Sequence, residues 1–160
     1  MTDRTDIETT ALSDLPESAH AFVKSSWVRS WRRRWSRSAK ADEQVFHRSF
    51  PDLAEWMARN CDVRVLHFAG NTDFYVGWVA TSGPGVVHYV YVRKNFRNSG
   101  NARWLLSQFA SAESHYTLQP VTRWQQEWAA AHGMKYDPYQ IAITAIGAHD
   151  EQKQATDDPR

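Results

Sequence analysis

Residues 86–106 read VVHYVYVRKNFRNSGNARWLL, and the fold is decided here. Val86 to Val92 are β-branched and aromatic apart from His88, a composition that suits a buried strand. RKNFRNSGNA then turns polar and carries Gly100. Trp104, Leu105 and Phe109 return at helical spacing. A strand, a glycine-bearing loop and a helix start make a place to hold phosphate. The first N–H groups of a helix have no acceptor within it, and the helix dipole puts partial positive charge there. Gly100 has no Cβ to keep a ligand away from the backbone.

Val92-x-x-x-Phe96-Arg97-x-x-Gly100-x-Ala102, followed by Leu105-Leu106, resembles the acyl-CoA signature of the GNAT-type N-acetyltransferase superfamily. The resemblance covers about twenty residues and is loose elsewhere. It implies an acyl-CoA-dependent N-acyltransferase that uses acetyl-CoA, with an unknown amine as acceptor. It implies a pyrophosphate cradle from the backbone N–H groups of Asn98, Ser99, Gly100, Asn101, Ala102 and Arg103, with Tyr91, Val92 and Arg97 beside it. It also implies an α/β (α+β) fold: a mixed sheet, an antiparallel meander leading to a splayed parallel pair, flanked by helices. FVKSSWVRSW near the start and Tyr136-Asp137-Pro138-Tyr139 near the end are similar to stretches in bacteriophage-encoded acetyltransferase-like proteins.

Read outward from that stretch, the chain supplies the sheet. Val63–Phe68 and Phe74–Thr81 are strands separated by Gly70-Asn71, and Gly83-Pro84-Gly85 turns the chain into Val86–Val92. Short turns predict an antiparallel meander. The helix 102–112 then crosses to a strand at His115–Leu118, which predicts a parallel pair. Arg123–His132 reads as a helix capped by Gly133, and Ile141–Ile146 as a last strand.

Before the meander, Val23, Trp27, Trp31 and Trp35 recur every four residues and mark one helix face. Arg29, Arg32, Arg33 and Arg37 lie between them with no acidic neighbour. Two readings stand: a solvated basic face, or a surface for nucleic acid, where arginines supply charge and aromatics supply stacking. Asp42–Asn60 reads as a helix broken at Pro51. Residues 1–19 and 148–160 have few large apolar residues and read as disordered tails around a domain at 20–147, so the fold is expected to open with a helix.

The net charge of +1 excludes a globally basic nucleic-acid binder, and Cys61, the only cysteine, excludes an intramolecular disulfide. With no apolar run long enough to span a bilayer and no leader-like N-terminus, no membrane partner and a cytoplasmic location are expected. The seven histidines show no zinc spacing, so no metal is expected.

Transfer to an amine needs a held thioester, a base and an acid. The family's acidic base on the strand at 86–92 is absent; His88 is the candidate base there, with a structural histidine as its other reading. The family's Tyr four residues before the late Gly is also absent, since Ala129 stands there, and Tyr136 is the candidate acid. These gaps keep a second class open: a GNAT-shaped interaction or phage-associated structural module without transfer activity.

Overall fold

The computed structural model describes residues 6–38, 43–83, 85–109, 114–117 and 123–145, and only the backbone for 32–38, 43, 45–46 and 109. The described chain forms one six-stranded mixed sheet in the order β1-β2-β3-β4-β5-β6. The strands are β1 (Ile7–Ala11), β2 (Asp62–Phe68), β3 (Asn71–Ser82), β4 (Val86–Val92), β5 (His115–Tyr116) and β6 (Lys135–Tyr136). β1 to β4 pair antiparallel, β4 with β5 and β5 with β6 parallel. This is the expected meander and parallel pair, with helices on both faces.

One helix layer consists of α1 (Glu17–Ser38) and α2 (Glu43–Asn60), and the other of α3 (Asn101–Phe109) and α4 (Arg123–Ala131). Val23, Trp27 and Trp31 of the stripe on α1 form a core face, and the side chain of Trp35 lies outside the described residues. Val23 and Trp27 are fully buried, and Trp27 packs on Trp78 and Tyr89 at centroid distances of 4.7 and 5.7 Å. The α3/α4 layer covers Leu66, Val76, Val79, Val87 and Val92 with Leu105, Leu106 and Trp128.

Two bulges set which residues face which layer. In β3, Leu66 pairs with Gly77 and His67 with Tyr75, so Val76 is extra. In β4, Ala80 pairs with Tyr89 and Thr81 with Val87, so His88 is extra. A bulge adds a residue to one strand and re-aims its neighbours. Val87 thus packs in the α3/α4 layer and Tyr89 in the α1/α2 layer.

Four expectations need correction. The stretch taken as an N-terminal tail contains β1, so the fold opens with a strand. Ile7, Thr9 and Thr10 are β-branched, and β2 gives them a ladder. Thr10 Oγ1 also meets His67 Nε2 at 2.8 Å, and Leu12 and Leu15 are buried. Second, α2 runs through Pro51. One lost hydrogen bond and a clash cost about 3 kcal/mol. Burial of Phe50, Ala54 and Met57 on both sides offsets that cost.

Third, residues 140–145 are helical where a strand was expected. Asp137 Oδ1 accepts the Tyr139 N–H at 3.0 Å and Oδ2 accepts from Gln140 Nε2 at 2.9 Å, which is an N-cap followed by Pro138. Those hydrogen bonds hold the Asp137 carboxyl below the usual range, the Gln140 side chain contributing most. Fourth, β5 is shorter than 115–118; Leu118 lies outside the described residues, as do 110–112, Ile146, 1–5 and the expected tail 148–160. Among the described residues no helix is long and apolar enough to cross a membrane.

Candidate functional site

The loop between β4 and α3 is folded by its own polar groups. Lys94–Phe96 makes a single 3-10 turn. Arg97 Nε donates to the Val92 carbonyl at 2.9 Å, Ser99 Oγ to the Phe96 carbonyl at 2.7 Å, and Asn101 Nδ2 to the same carbonyl at 3.1 Å. Asn98 and Gly100 take φ of 65° and 84°, a conformation open to glycine and tolerated by asparagine. The first bond into α3 runs from the Trp104 N–H to the Gly100 carbonyl at 2.9 Å. The backbone N–H groups of Asn98 to Arg103 find no acceptor among the described residues. Six successive open donors at a helix start form an anion bed.

This bed closes one end of a cleft of about 740 Å³. Tyr89, Val90, Tyr91 and Val92 of β4 form its floor, Ser26, Arg29 and Ser30 of α1 one wall, and Trp124 and Gln125 of α4 another. The cleft therefore touches both helix layers. Beside this floor the last β4–β5 ladder bond among the described residues is the Thr117 N–H to the Val87 carbonyl at 3.1 Å, and Val90–Val92 have no β5 partner among the described residues. β3 approaches this floor closely because residue 77 is glycine. A Cβ there would run into the Tyr91 carbonyl oxygen and stand 3.2 Å from Val92 Cα.

The opposite end of β4 holds a closed polar chain. His88 Nε2 lies 2.7 Å from Ser82 Oγ, and His88 Nδ1 lies 3.1 Å from Thr117 Oγ1. Ser82 Oγ meets Thr144 Oγ1 at 2.9 Å, and Thr144 donates to the Gln140 carbonyl at 2.8 Å. His88 is 2 % exposed, and burial pushes its imidazole down to about 4. It lines a small cavity of about 60 Å³ with Val87, Leu106, Tyr116, Trp128 and Met134. This cavity shares Tyr89, Val90 and Gln125 with the cleft.

Of the residues assigned to acyl-CoA, Tyr91, Val92, Arg97, Asn98, Gly100, Asn101, Ala102 and Arg103 line the cleft, while Ser99 braces the loop from outside the lining. His88 adjoins the cleft without lining it. Tyr136 lines neither cavity; it is 47 % exposed on β6, against Tyr116 at 5.4 Å between centroids. The α1 wall went unread because its serines and Arg29 lie some sixty residues upstream of β4. Arg29 belongs to the basic set and turns to the cleft; the side chains of Arg32, Arg33 and Arg37 lie outside the described residues. No group of metal-ligating side chains exists among the described residues.

No protein-family model and no curated protein matches the chain. A solved structure does, a crystal structure titled GCN5-related N-acetyltransferase: aminotransferase, class-II from Rhodopseudomonas palustris, at 18 % identity and a TM-score of 0.44. The alignment covers 79 % of this chain and 66 % of that one. No residue role is taken from it.

Proposed function

We propose that the protein is an acyl-CoA-dependent N-acyltransferase that passes an acetyl group from acetyl-CoA to an amine. The observation that carries this reading is the row of N–H donors at Asn98–Arg103 with no acceptor among the described residues, lining a cleft that also runs along β4. The donors suit a pyrophosphate, with Gly100 giving it room. The edge of β4 from Val90 to Val92 offers N–H and C=O groups to the amides of a pantetheine arm, as a strand partner would. The small cavity beside Val90 suits a short acyl group.

In the reaction the amine nitrogen attacks the thioester carbonyl carbon, a C–N bond forms, the C–S electrons leave with sulfur, and the amine's proton is given up. The chain's task is to orient the two partners and take that proton. His88 is neutral at pH 7, and its partner Thr117 Oγ1 directly follows β5, so the proposed proton path runs through that hydroxyl. Tyr136 has no part in this path.

A second reading, a GNAT-shaped module without transfer, is favoured by one observation: no Asp, Glu or His among the described residues lines the cleft. Nucleic acid as acceptor or partner, and a phage-type relationship, rest on the sequence resemblance and the arginine pattern. Calorimetric titration of acetyl-CoA tests the shared step. Binding by the wild type is expected, and its absence defeats the enzyme reading. Binding with no acylation of any amine tried moves the weight to the module.

A further inference from the structure

We infer that the acceptor amine is a small molecule carrying an anionic group, and that Arg29 holds that group where α1 meets the cleft. The inference rests on the N-acyltransferase reading and names its acceptor class. The cleft touches both helix layers, through Ser26, Arg29 and Ser30 on one side and Trp124 and Gln125 on the other. Two reactants can therefore approach β4 from different sides.

The C-terminal part of the α1 wall lies toward the Tyr89 end of the cleft floor. Tyr89 Oη donates to Ser30 Oγ at 2.9 Å, which ties this stretch of α1 to the level of Tyr89. Tyr89 precedes Val92 by three residues, roughly 10 Å along a strand. The bed itself begins beyond Val92 and has six N–H donors of its own. Arg29, beside Ser30, thus stands nearer the Tyr89 end of the floor than the place a pyrophosphate would take.

The polar groups around Arg29 are already committed. Ser26 Oγ donates to the Val23 carbonyl at 3.1 Å and accepts the Trp78 indole N–H at 2.8 Å. Ser30 Oγ donates to the Trp27 carbonyl at 3.1 Å and accepts from Tyr89. Arg29 has no hydrogen-bond or ionic partner among the described residues. A guanidinium fork matches a carboxylate or a phosphate in two parallel hydrogen bonds.

Among the described residues no carboxylate lines the cleft, so no ion pair there draws in a cationic amine; an anionic group on the same molecule supplies an ionic attraction to Arg29. A cleft of about 740 Å³ that also admits the cofactor arm leaves space for something near the size of an amino acid. That favours a small acceptor over a nucleic acid.

The test measures thiol release from acetyl-CoA with ethanolamine, β-alanine and phosphoethanolamine, which are neutral, carboxylate and phosphate probes. Calorimetric titration of acetyl-CoA into the same proteins runs beside it. The wild type is expected to use at least one anionic amine roughly tenfold better in kcat/KM than ethanolamine. Arg29→Ala collapses that ratio by raising KM for the anionic amine and leaves acetyl-CoA affinity within about twofold, and Arg29→Lys recovers part of the ratio.

Equal use of all three amines, or use of neither anionic one by a protein that binds acetyl-CoA, overturns the inference. So does a loss of acetyl-CoA affinity in Arg29→Ala, which would place the guanidinium on the cofactor. Acylation of a short DNA duplex in place of the small amines overturns it in favour of nucleic acid. Failure of the wild type to bind acetyl-CoA is a separate result and defeats the acyltransferase reading itself.

Discussion

The two ends of β4 handle polar groups in opposite ways. Beyond Val92, six backbone N–H groups have no acceptor among the described residues, and the loop's side chains brace the backbone. At Val86–His88, imidazole and hydroxyls close on one another from Thr117 to Thr144. The second end holds the more reactive residue type, yet the first has the stronger claim to a ligand. A buried polar group that is fully paired stabilises its surroundings, whereas a row of unpaired donors is left for something else to satisfy.

The sharpest way to break the comparison is Gly100→Val. The φ of 84° disfavours a branched residue, and Gly100 lies within the row of open donors. Acetyl-CoA affinity is expected to fall by about a hundredfold or more, roughly 3 kcal/mol, while circular dichroism shows the fold retained. Unchanged affinity would remove the bed from the binding site. Gly77→Ala attacks the floor between the two ends. Its Cβ would force β3 from the Tyr91 carbonyl. A loss of about 2–3 kcal/mol in urea unfolding is expected, and acetyl-CoA affinity should fall with it.

The closed end is sharpened by acid. Burial lowers the His88 imidazole from the ordinary 6.5 to about 4, so the unfolded chain takes up a proton that the native chain refuses in this interval. Stability from this residue is complete above pH 6.5 and is lost as pH falls through about 4, by up to roughly 3 kcal/mol. Urea midpoints between pH 4 and pH 7 should show this slope in the wild type and a flatter one in His88→Ala.

That variant should also lose about 2 kcal/mol at pH 7, because Ser82 and Thr117 each lose a partner. Its acetyl-CoA affinity is expected to hold and its transfer rate to drop; a normal rate per folded molecule would make the chain purely structural. The smallest effect belongs to Arg97→Ala. Its Nε tie to Val92 steadies the loop, but backbone groups form the bed, so affinity should weaken only about three- to fivefold. A loss as large as that of Gly100→Val would show that charge, not the backbone, carries the binding.

The meander and the α3 crossing were legible because their signals are local: β-branched runs, glycine turns, and a stripe of Val23, Trp27 and Trp31. β1 was not, because four half-buried residues and an exposed Glu8 become a strand only against the edge of β2. IAITAI alternates as a strand would, and the Asp137-Pro138 cap overrules that alternation. The phosphate bed could be read from Gly100 and the helix start. The α1 wall could not, since the facing of Arg29 depends on how Trp27 and Tyr89 stack across the sheet. Nor did the sequence tell His88 with both nitrogens bonded from His88 with one free.

The bulge at His88 has a consequence for chain editing. Val87 and Tyr89 face opposite layers although only one residue separates them. In a regular strand, neighbours face opposite ways and alternate residues face the same way. Removing His88 would make Val87 and Tyr89 neighbours and keep both on their present sides. The two cores therefore do not require this residue for their pattern; it is a spare letter in the strand. Its loss would be felt by the polar chain it joins, from Thr117 to Thr144, while the packing on either side could be spelled without it.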